Sequence, residues 1–388
     1  MTDERREPAP FRIGIVADDL TGALDAGAGF AKAGMRVRVP LGPVGGRIDV
    51  ADADAIVINT ASREGSAEDA RDRTRAATIS LLRSGVTLLY KKVDSVLRGH
   101  PGPELAGMLS PLPRGTRALV APAFPAQGRV TAGGVQYVHG APAPNFGGAL
   151  AAAFAEVAES CDFHDAADDE TLHAIAKQGV DDGVRVWVGT AGLAAELVPA
   201  LIGKGLHFAG HEGESEDDGS WHTGRSVVVV AGSVHPTTVA QVAMLAATGT
   251  PHLAIDPQAP ETWPSEDDLV AAMTSGSCIV STHRGLPIGE LPSEWVAGAG
   301  DLLNRVAAAV ERAVESTSPP ALVVTGGETA QILFRRLAAE AIDVTGEVLP
   351  GIPNGLVSIG SKTVPIVTKS GGFGAAGDLI EICRAAPE

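Results

Sequence analysis

Aromatic residues are scarce in this 388-residue chain: they make up 4% of it, with two tyrosines and four tryptophans. Its cores must therefore be aliphatic and alanine-rich, and an apolar fraction of 45% is enough to build them. Cysteine is nearly absent. Cys161, Cys278 and Cys383 are far apart, odd in number and without CxxC spacing, which points to reduced thiols rather than a disulfide framework or a thiolate metal site. Blocks of positive charge are missing as well. The net charge is −17, so a nucleic-acid partner is not expected. No apolar run is long enough to span a bilayer, and MTDERREPAP at the start lacks the apolar stretch of a secretory signal. The expectation is a cytoplasmic protein with no membrane partner.

Several signatures of chemistry are absent too. The histidines show neither HxH nor HExxH spacing, so a metal site made of protein ligands alone is not expected. There is no Walker A sequence and no GxSxG, and SGGFGAAGD (370–378) is read as carrying glycines in the wrong order and place for a dinucleotide fingerprint.

What the chain does have is 47 glycines and a steady alternation of strand and helix signals. Strands are predicted at 12–17, 35–41, 55–62, 86–94 and 117–123, with helices over 20–34 and 66–85 and a strand–turn–helix over 185–197. After an acidic, glycine-rich stretch the pattern resumes with strands at 226–232, 251–256, 277–282 and 321–327 and a helix over 328–342. Strands separated by helices imply βαβ units. The expected fold is α/β: two domains with mostly parallel sheets flanked by helices, and an active site in the interdomain cleft. The expected boundaries are a disordered tail at 1–10, a first domain at 11–207, a linker or loop at 208–224 and a second domain at 225–388.

In parallel α/β sheets ligands bind beyond the carboxyl ends of strands. In the first half those positions hold Asp18-Asp19, then Asn59 to Arg63, then Lys91, Lys92, Asp94, Ser95 and Arg98, then Pro122 to Arg129. This two-signed, donor-rich set suits a small polyhydroxylated anion, with Lys and Arg for a carboxylate and Asp for hydroxyls. Each member has an ordinary alternative. Asp19 alone suits a helix cap, and Lys91 or Lys92 suits a surface pair with Asp94. In the second half the strand ends carry glycine turns: Gly232-Ser233, Thr325 to Thr329, and Lys369 to Gly374. Such turns present N–H groups, and the first two open helices, which suits phosphates.

Seven stretches then resemble the four-carbon acid sugar kinases: ADDLTGALDAG (17–27), KKVDSVLRG (91–99), PAFPAQGRVTAGGVQYVHG (122–140), GSVHPTT (232–238), VVTGGETA (323–330), PGIPNG (350–355) and TKSGGFGAAGD (368–378). The matches run in order through nearly the whole chain. The resemblance implies ATP-dependent phosphorylation of the terminal hydroxyl of a C4 sugar acid such as threonate, erythronate or an oxo-tetronate. It also implies a sugar-acid domain followed by a nucleotide domain. Carried over by motif, Asp18, Arg63, Lys92 and Arg98 bind substrate, Lys92 and Arg98 clamping its carboxylate. Asp19 and Asp94 are the catalytic acids of the set, the proton acceptor being Asp18, Asp19 or Asp94. Ser233, Gly326, Gly327, Glu328, Lys369, Gly371, Gly372 and Gly374 hold ATP, with Mg²⁺ bridging its phosphates and keeping waters. A homodimer is left open. One departure from the family follows Gly140, where APAPNFGGALAAAFAEV replaces a longer polar stretch. Two other classes stand as alternatives: a non-catalytic sugar-acid binding protein, and a nicotinamide-dependent oxidoreductase.

Overall fold

The computed structural model describes residues 12–43, 45, 52–206, 208, 221, 225–256, 259–282, 295–316 and 319–384, with only the helical backbone for 295–300. The tail expected at 1–10 and nearly all of the linker expected at 208–224 lie outside the described residues. By packing, the chain divides into two compact units. One is Met1–Asp18 with Gly29–Arg38 and Pro43–Glu216; the other is Asp19–Ala28 with Val39–Gly42 and Asp217–Glu388. The division falls between the two adjacent aspartates.

The elements of the first part of the chain are β1 (Ile13–Ala17), α1 (Leu20–Lys32), β2 (Val37–Pro40), β3 (Ala55–Asn59), α2 (Ala67–Arg83), β4 (Leu88–Lys92), α3 (Pro101–Leu109), β5 (Ala118–Ala121), β6 (Arg129–Ala132), β7 (Val135–Val138), β8 (Ala141–Pro142), α4 (Leu150–Ala153), β9 (Cys161–Phe163), α5 (Asp169–Asp181), β10 (Val186–Gly189) and α6 (Ala191–Gly203). Seven strands form a wholly parallel sheet in the order β2-β3-β1-β4-β10-β5-β9. Burial on both faces explains the unbroken apolar runs of β1 and β3. As expected from the composition, the core is aliphatic, with Ile56, Ile58, Leu81, Leu89, Leu105 and Met108 in one cluster. Helix α2 starts where Ser66 accepts a hydrogen bond from the Asp69 amide, and it carries acids in its first turn and Arg83 in its last, matching the helix dipole. A separate antiparallel sheet, β6-β7-β8, is built from the 122–142 stretch; its turns were read from the sequence only as part of a motif.

The later elements are β11 (Val227–Ala231), α7 (Pro236–Ala247), β12 (His252–Ala254), α8 (Glu266–Ser275), β13 (Cys278–Ser281), α9 (Trp295–Val314), β14 (Ala321–Thr325), α10 (Gly327–Arg336), β15 (Ala341–Leu349), β16 (Ile352–Ile359), β17 (Lys362–Lys369) and α11 (Asp378–Arg384). Their strands run in the order β12-β13-β11-β14-β17-β16-β15, parallel as far as β17 and antiparallel from β17 through β16 to β15. One expectation needs correcting. The helix predicted over 328–342 ends at Arg336, and Ala341 and Ile342 open β15. The chain reverses at Ala338, whose φ is 48°, with Ala338 N donating to Arg335 O at 3.2 Å and Ala339 N donating to Phe334 O at 3.1 Å. That is a Schellman end with alanine in the left-handed position usually held by glycine, so the sequence carried no stop signal.

Candidate functional site

In the first unit, strands β3, β1 and β4 are neighbours, and each delivers polar residues just past its carboxyl end. Connections from β1 lead to β3 and β2 on one side and to β4 and beyond on the other, so β1 and β4 flank the topological switch point. Asp18 follows β1. Its side chain is buried and takes both hydrogen bonds of the Arg63 fork: Nε to Oδ2 at 2.8 Å and Nη2 to Oδ1 at 2.9 Å. The Asp18 carbonyl also receives the Ser62 and Arg63 amides, at 3.0 and 3.3 Å, which fixes the β3 loop against it. Burial pushes the Asp18 carboxyl up, but Arg63, then Lys91 and Lys92, outweigh it and hold the group below its ordinary value. Gly99, at φ 78°, lets the β4 loop pass close by, since a Cβ there would sit 3.1 Å from Asp18 Oδ2.

Asp94 follows β4 and is saturated. Its Oδ1 accepts the Val96 amide at 3.1 Å, the Arg98 amide at 3.2 Å and Arg98 Nε at 3.1 Å. Its Oδ2 accepts Arg98 Nη2 at 2.7 Å and lies 3.8 Å from Arg63 Nη2. Burial raises the Asp94 pKa, but the Arg98 bond and the charges of Arg63, Arg98 and Lys92 together depress it well below the carboxylate range. Beneath this layer lies an ion pair the sequence did not reveal. Lys91 Nζ is 2.9 Å from Glu104 Oε2 and also donates to the carbonyls of Lys92 at 2.6 Å and Val16 at 3.4 Å. Ser62 Oγ donates to Glu104 Oε1 at 2.8 Å, and burial pushes the Glu104 carboxyl up. Lys91 therefore does not pair with Asp94. Lys92 is buried too, with Nζ donating to the Val93 carbonyl at 3.2 Å. In sequence, Glu104 looks like an ordinary first-turn acid of α3, and nothing marks it as a partner of Lys91.

In the second unit, β11, β14 and β17 are adjacent parallel strands, and the three glycine turns follow their carboxyl ends. One reading needs correcting: Gly372-Phe373-Gly374-Ala375-Ala376-Gly377 has the G-x-G-x-x-G spacing and does link a strand, β17, to a helix, α11. The turn after β17 is held from within. Lys369 Nζ, fully buried, donates to the carbonyls of Ser370 at 2.9 Å and Phe373 at 3.1 Å. Thr238 Oγ1 donates to the Gly371 carbonyl at 2.8 Å, and Gln241 Nε2 donates to those of Phe373 at 3.2 Å and Ala375 at 2.7 Å. Burial lowers the Lys369 amine to about 8. With the carbonyls occupied inward, the amides of Gly371, Gly372 and Gly374 have no acceptor among the described residues. The neighbouring turns crowd this one. A Cβ on Gly371 would overlap Ser233 Oγ, and one on Gly372 would lie 3.2 Å from His235 Nε2. Gly326 donates its amide to the Lys369 carbonyl at 2.8 Å, and α10 starts at Gly327 without a side-chain cap. Glu328 is exposed in its first turn. Unpaired amides, an uncapped helix start and the hydroxyl of Ser233 form a set that fits phosphate groups. Asp19 belongs to this unit. It caps α1, with Oδ1 accepting the Gly22 amide at 2.7 Å, while its Oδ2 lies 3.5 Å from where a Cβ on Gly327 would stand.

The structure thus gathers Asp18, Arg63, Lys92, Asp94 and Arg98 at one set of strand ends, and Ser233, Gly326, Gly327, Lys369 and Gly371–Gly374 at the other. It gives Lys369 a different aim from the one expected: its ammonium points into the loop, at carbonyls. No group of three or more His, Cys, Asp or Glu suited to a metal occurs among the described residues, and no helix among them is long and apolar enough to cross a membrane.

This pairing of a sugar-binding half with a nucleotide-binding half is what the comparisons with known proteins return. Residues 13–148 match a family described as a sugar-binding N-terminal domain, and residues 228–379 one described as a nucleotide-binding C-terminal domain. A D-threonate kinase of Bordetella bronchiseptica is 31% identical, the match covering 97% of this chain and 98% of that protein. A 3-oxo-tetronate kinase of Methylobacterium radiotolerans is 28% identical over 94% and 96% of the two chains. A D-erythronate kinase of Heliobacterium modesticaldum is 40% identical over 33% of this chain and 29% of that protein. A solved Salmonella typhimurium structure, described as a putative tRNA synthase, shares the fold at a TM-score of 0.73 and 20% identity, covering 97% and 100% of the chains. The chain belongs to the four-carbon acid sugar kinase family.

Proposed function

We propose that this protein is an ATP-dependent kinase that phosphorylates the terminal hydroxyl of a four-carbon sugar acid such as threonate, erythronate or 3-oxo-tetronate. The observation that carries the reading is the Ser370–Gly374 turn, whose carbonyls are held inward so that glycine amides are left to bind phosphate. Relatives named D-threonate kinase and 3-oxo-tetronate kinase, matched over at least 94% of both chains, support it. Residues 11–207 serve as the sugar-acid domain and 225–388 as the nucleotide domain, joined through 208–224, with Asp19–Ala28 and Val39–Gly42 packed into the unit that contains the nucleotide domain. The protein works in the cytoplasm, where ATP is supplied.

The role of each residue follows from what its atoms already hold. Asp18 and Asp94 give their carboxylate oxygens to arginine forks, so they are poor proton acceptors; they set the charge and position of Arg63 and Arg98. Asp19 is the proton acceptor for the terminal hydroxyl, because its Oδ2 faces the Gly327 turn. Ser233, Gly326, Gly327, Gly371, Gly372 and Gly374 hold the nucleotide phosphates, and Lys369 fixes the turn that presents them. Glu328, exposed at the start of α10, borders the same site. The bound nucleotide supplies the γ-phosphoryl group, and Mg²⁺ enters with it on phosphate and water oxygens. Phosphoryl transfer then rests mainly on positioning and charge neutralisation.

The test is ADP release with Mg-ATP against threonate, erythronate and 3-oxo-tetronate isomers. Acid-dependent release is expected with at least one; silence across the panel contradicts the proposal. Asp19→Asn should lower kcat by roughly 100-fold or more, the usual scale for a lost general base.

A further inference from the structure

Three basic residues at or just beneath the strand-end site of the first unit are already neutralised. Arg63 is paired with Asp18, Arg98 with Asp94, and Lys91 with Glu104. A substrate carboxylate clamped by Arg98 through its Nε–Nη2 edge would have to compete with an aspartate that already holds both donors of that edge. Arg129, at the start of β6, is different. It has no carboxylate partner within ion-pair distance among the described residues. Its Nη1 donates to the Gln127 carbonyl and lies 3.4 Å from His139 Nε2, and neither group is a carboxylate. Its Nε is buried with no hydrogen-bond partner among the described residues. An arginine stays charged in a protein, so this is a partly buried cation without its counter-ion. Burial lowers its pKa and the Asp94 carboxylate partly offsets that, so the guanidinium lies within electrostatic reach of Asp94.

The surroundings have the same character. In the β6–β7 register Arg129 pairs with Val138 and Thr131 with Gln136, so Arg129, Thr131 and Gln136 share one face of the hairpin. On that face Thr131 Oγ1 and Gln136 Oε1 are also buried without a partner among the described residues. Three unmet polar groups on one small face are more than a packed interior usually tolerates. The hairpin is tied to the β4 loop by named bonds. Gln136 Nε2 donates to the Ser95 carbonyl at 3.1 Å and the Pro122 carbonyl at 3.2 Å, and Asn145 Nδ2 donates to the Val96 carbonyl at 2.9 Å. Asn145 lies in the segment after Gly140, so that segment helps to seat the hairpin beside Asp94.

We propose that Arg129 is the residue that binds the carboxylate of the sugar acid, with the hairpin face around it selecting an anionic substrate over a neutral one. This rests on the kinase reading for the identity of the substrate, but not for its test. Nη2 has no acceptor among the described residues and offers the first contact to a carboxylate, and the covered Nε completes a bidentate pair when the atoms over it give way.

The direct experiment is threonate binding to the whole protein by calorimetry, without nucleotide, comparing the wild type with Arg129→Gln, Arg129→Lys and Arg98→Gln. Arg129→Gln should weaken binding about tenfold or more, and Arg129→Lys should recover part of it, because a point charge keeps attraction but loses the fork. In turnover, Arg129→Gln should raise KM for the acid while KM for ATP and the rate with a neutral four-carbon polyol stay within about twofold. If Arg129→Gln, folded by its thermal midpoint, binds threonate within about twofold of wild type while Arg98→Gln loses binding, the proposal is overturned. Should Arg129→Gln fail to fold, Arg129→Lys with wild-type affinity and an unchanged acid-to-polyol preference overturns it equally. A wild type that binds threonate through Arg129 but releases no ADP would contradict the kinase reading and leave this assignment standing.

Discussion

Lys91 Nζ sits 2.9 Å from Glu104 Oε2, with side-chain exposures of 0% and 2%. Two adjacent lysines at the end of a strand invite a role in ligand binding for both. The first of them is spent inside the protein, under Asp18, where its charge helps hold the Asp18 carboxyl down. A buried pair of this kind is costly to break and cheap to replace whole.

Lys91→Met should therefore destabilise the protein by about 3–5 kcal/mol, since it leaves Glu104 buried without its cation. Lys91→Met combined with Glu104→Gln should recover most of that loss. Urea midpoints at constant m read both variants.

Acid should unfold the protein partly through Asp94. Its folded pKa lies below its ordinary value of 3.8, so its stabilisation is complete above that value and is lost as pH falls through the folded pKa. The gap in thermal midpoint between wild type and Asp94→Asn should be full near neutral pH and should narrow on acidification below about 4. A gap that stays constant to the lowest pH at which both fold would contradict the charge assignment.

Gly371→Ala should raise KM for ATP, because its methyl would overlap Ser233 Oγ and displace the turn. A loss of roughly 10–100-fold in kcat/KM for ATP is expected from such a misplacement. In a Ser233→Gly background the obstacle is largely gone. The added loss from Gly371→Ala should shrink there, and steady-state kinetics on the four proteins of this cycle measure the coupling.

How much of this was legible in the sequence depends on the kind of signal. The apolar runs of β1, β3, β11 and β14 give their position directly, because a strand buried on both faces has to be apolar throughout. The polar residues after them mark the candidate site because parallel sheets put ligands at that end. What could not be read is which donor meets which acceptor. Asp18 and Asp19 are neighbours in sequence, yet one takes an arginine fork and the other caps a helix, and only the fold distinguishes them. Glu104 and the inward aim of Lys369 were hidden for the same reason. The end of α10 was missed because alanine occupies a left-handed position. Ala338→Gly should accordingly stabilise the protein by about 1 kcal/mol, read as a rise in thermal midpoint.

The central claim is that phosphate is placed on the terminal hydroxyl of a four-carbon acid. The most direct measurement is proton-coupled phosphorus NMR of the product formed from Mg-ATP and whichever acid supports ADP release. A phosphomonoester signal split by the two protons of the terminal carbon is the predicted result. A signal split by a single proton, an acyl phosphate, or inorganic phosphate alone would contradict it.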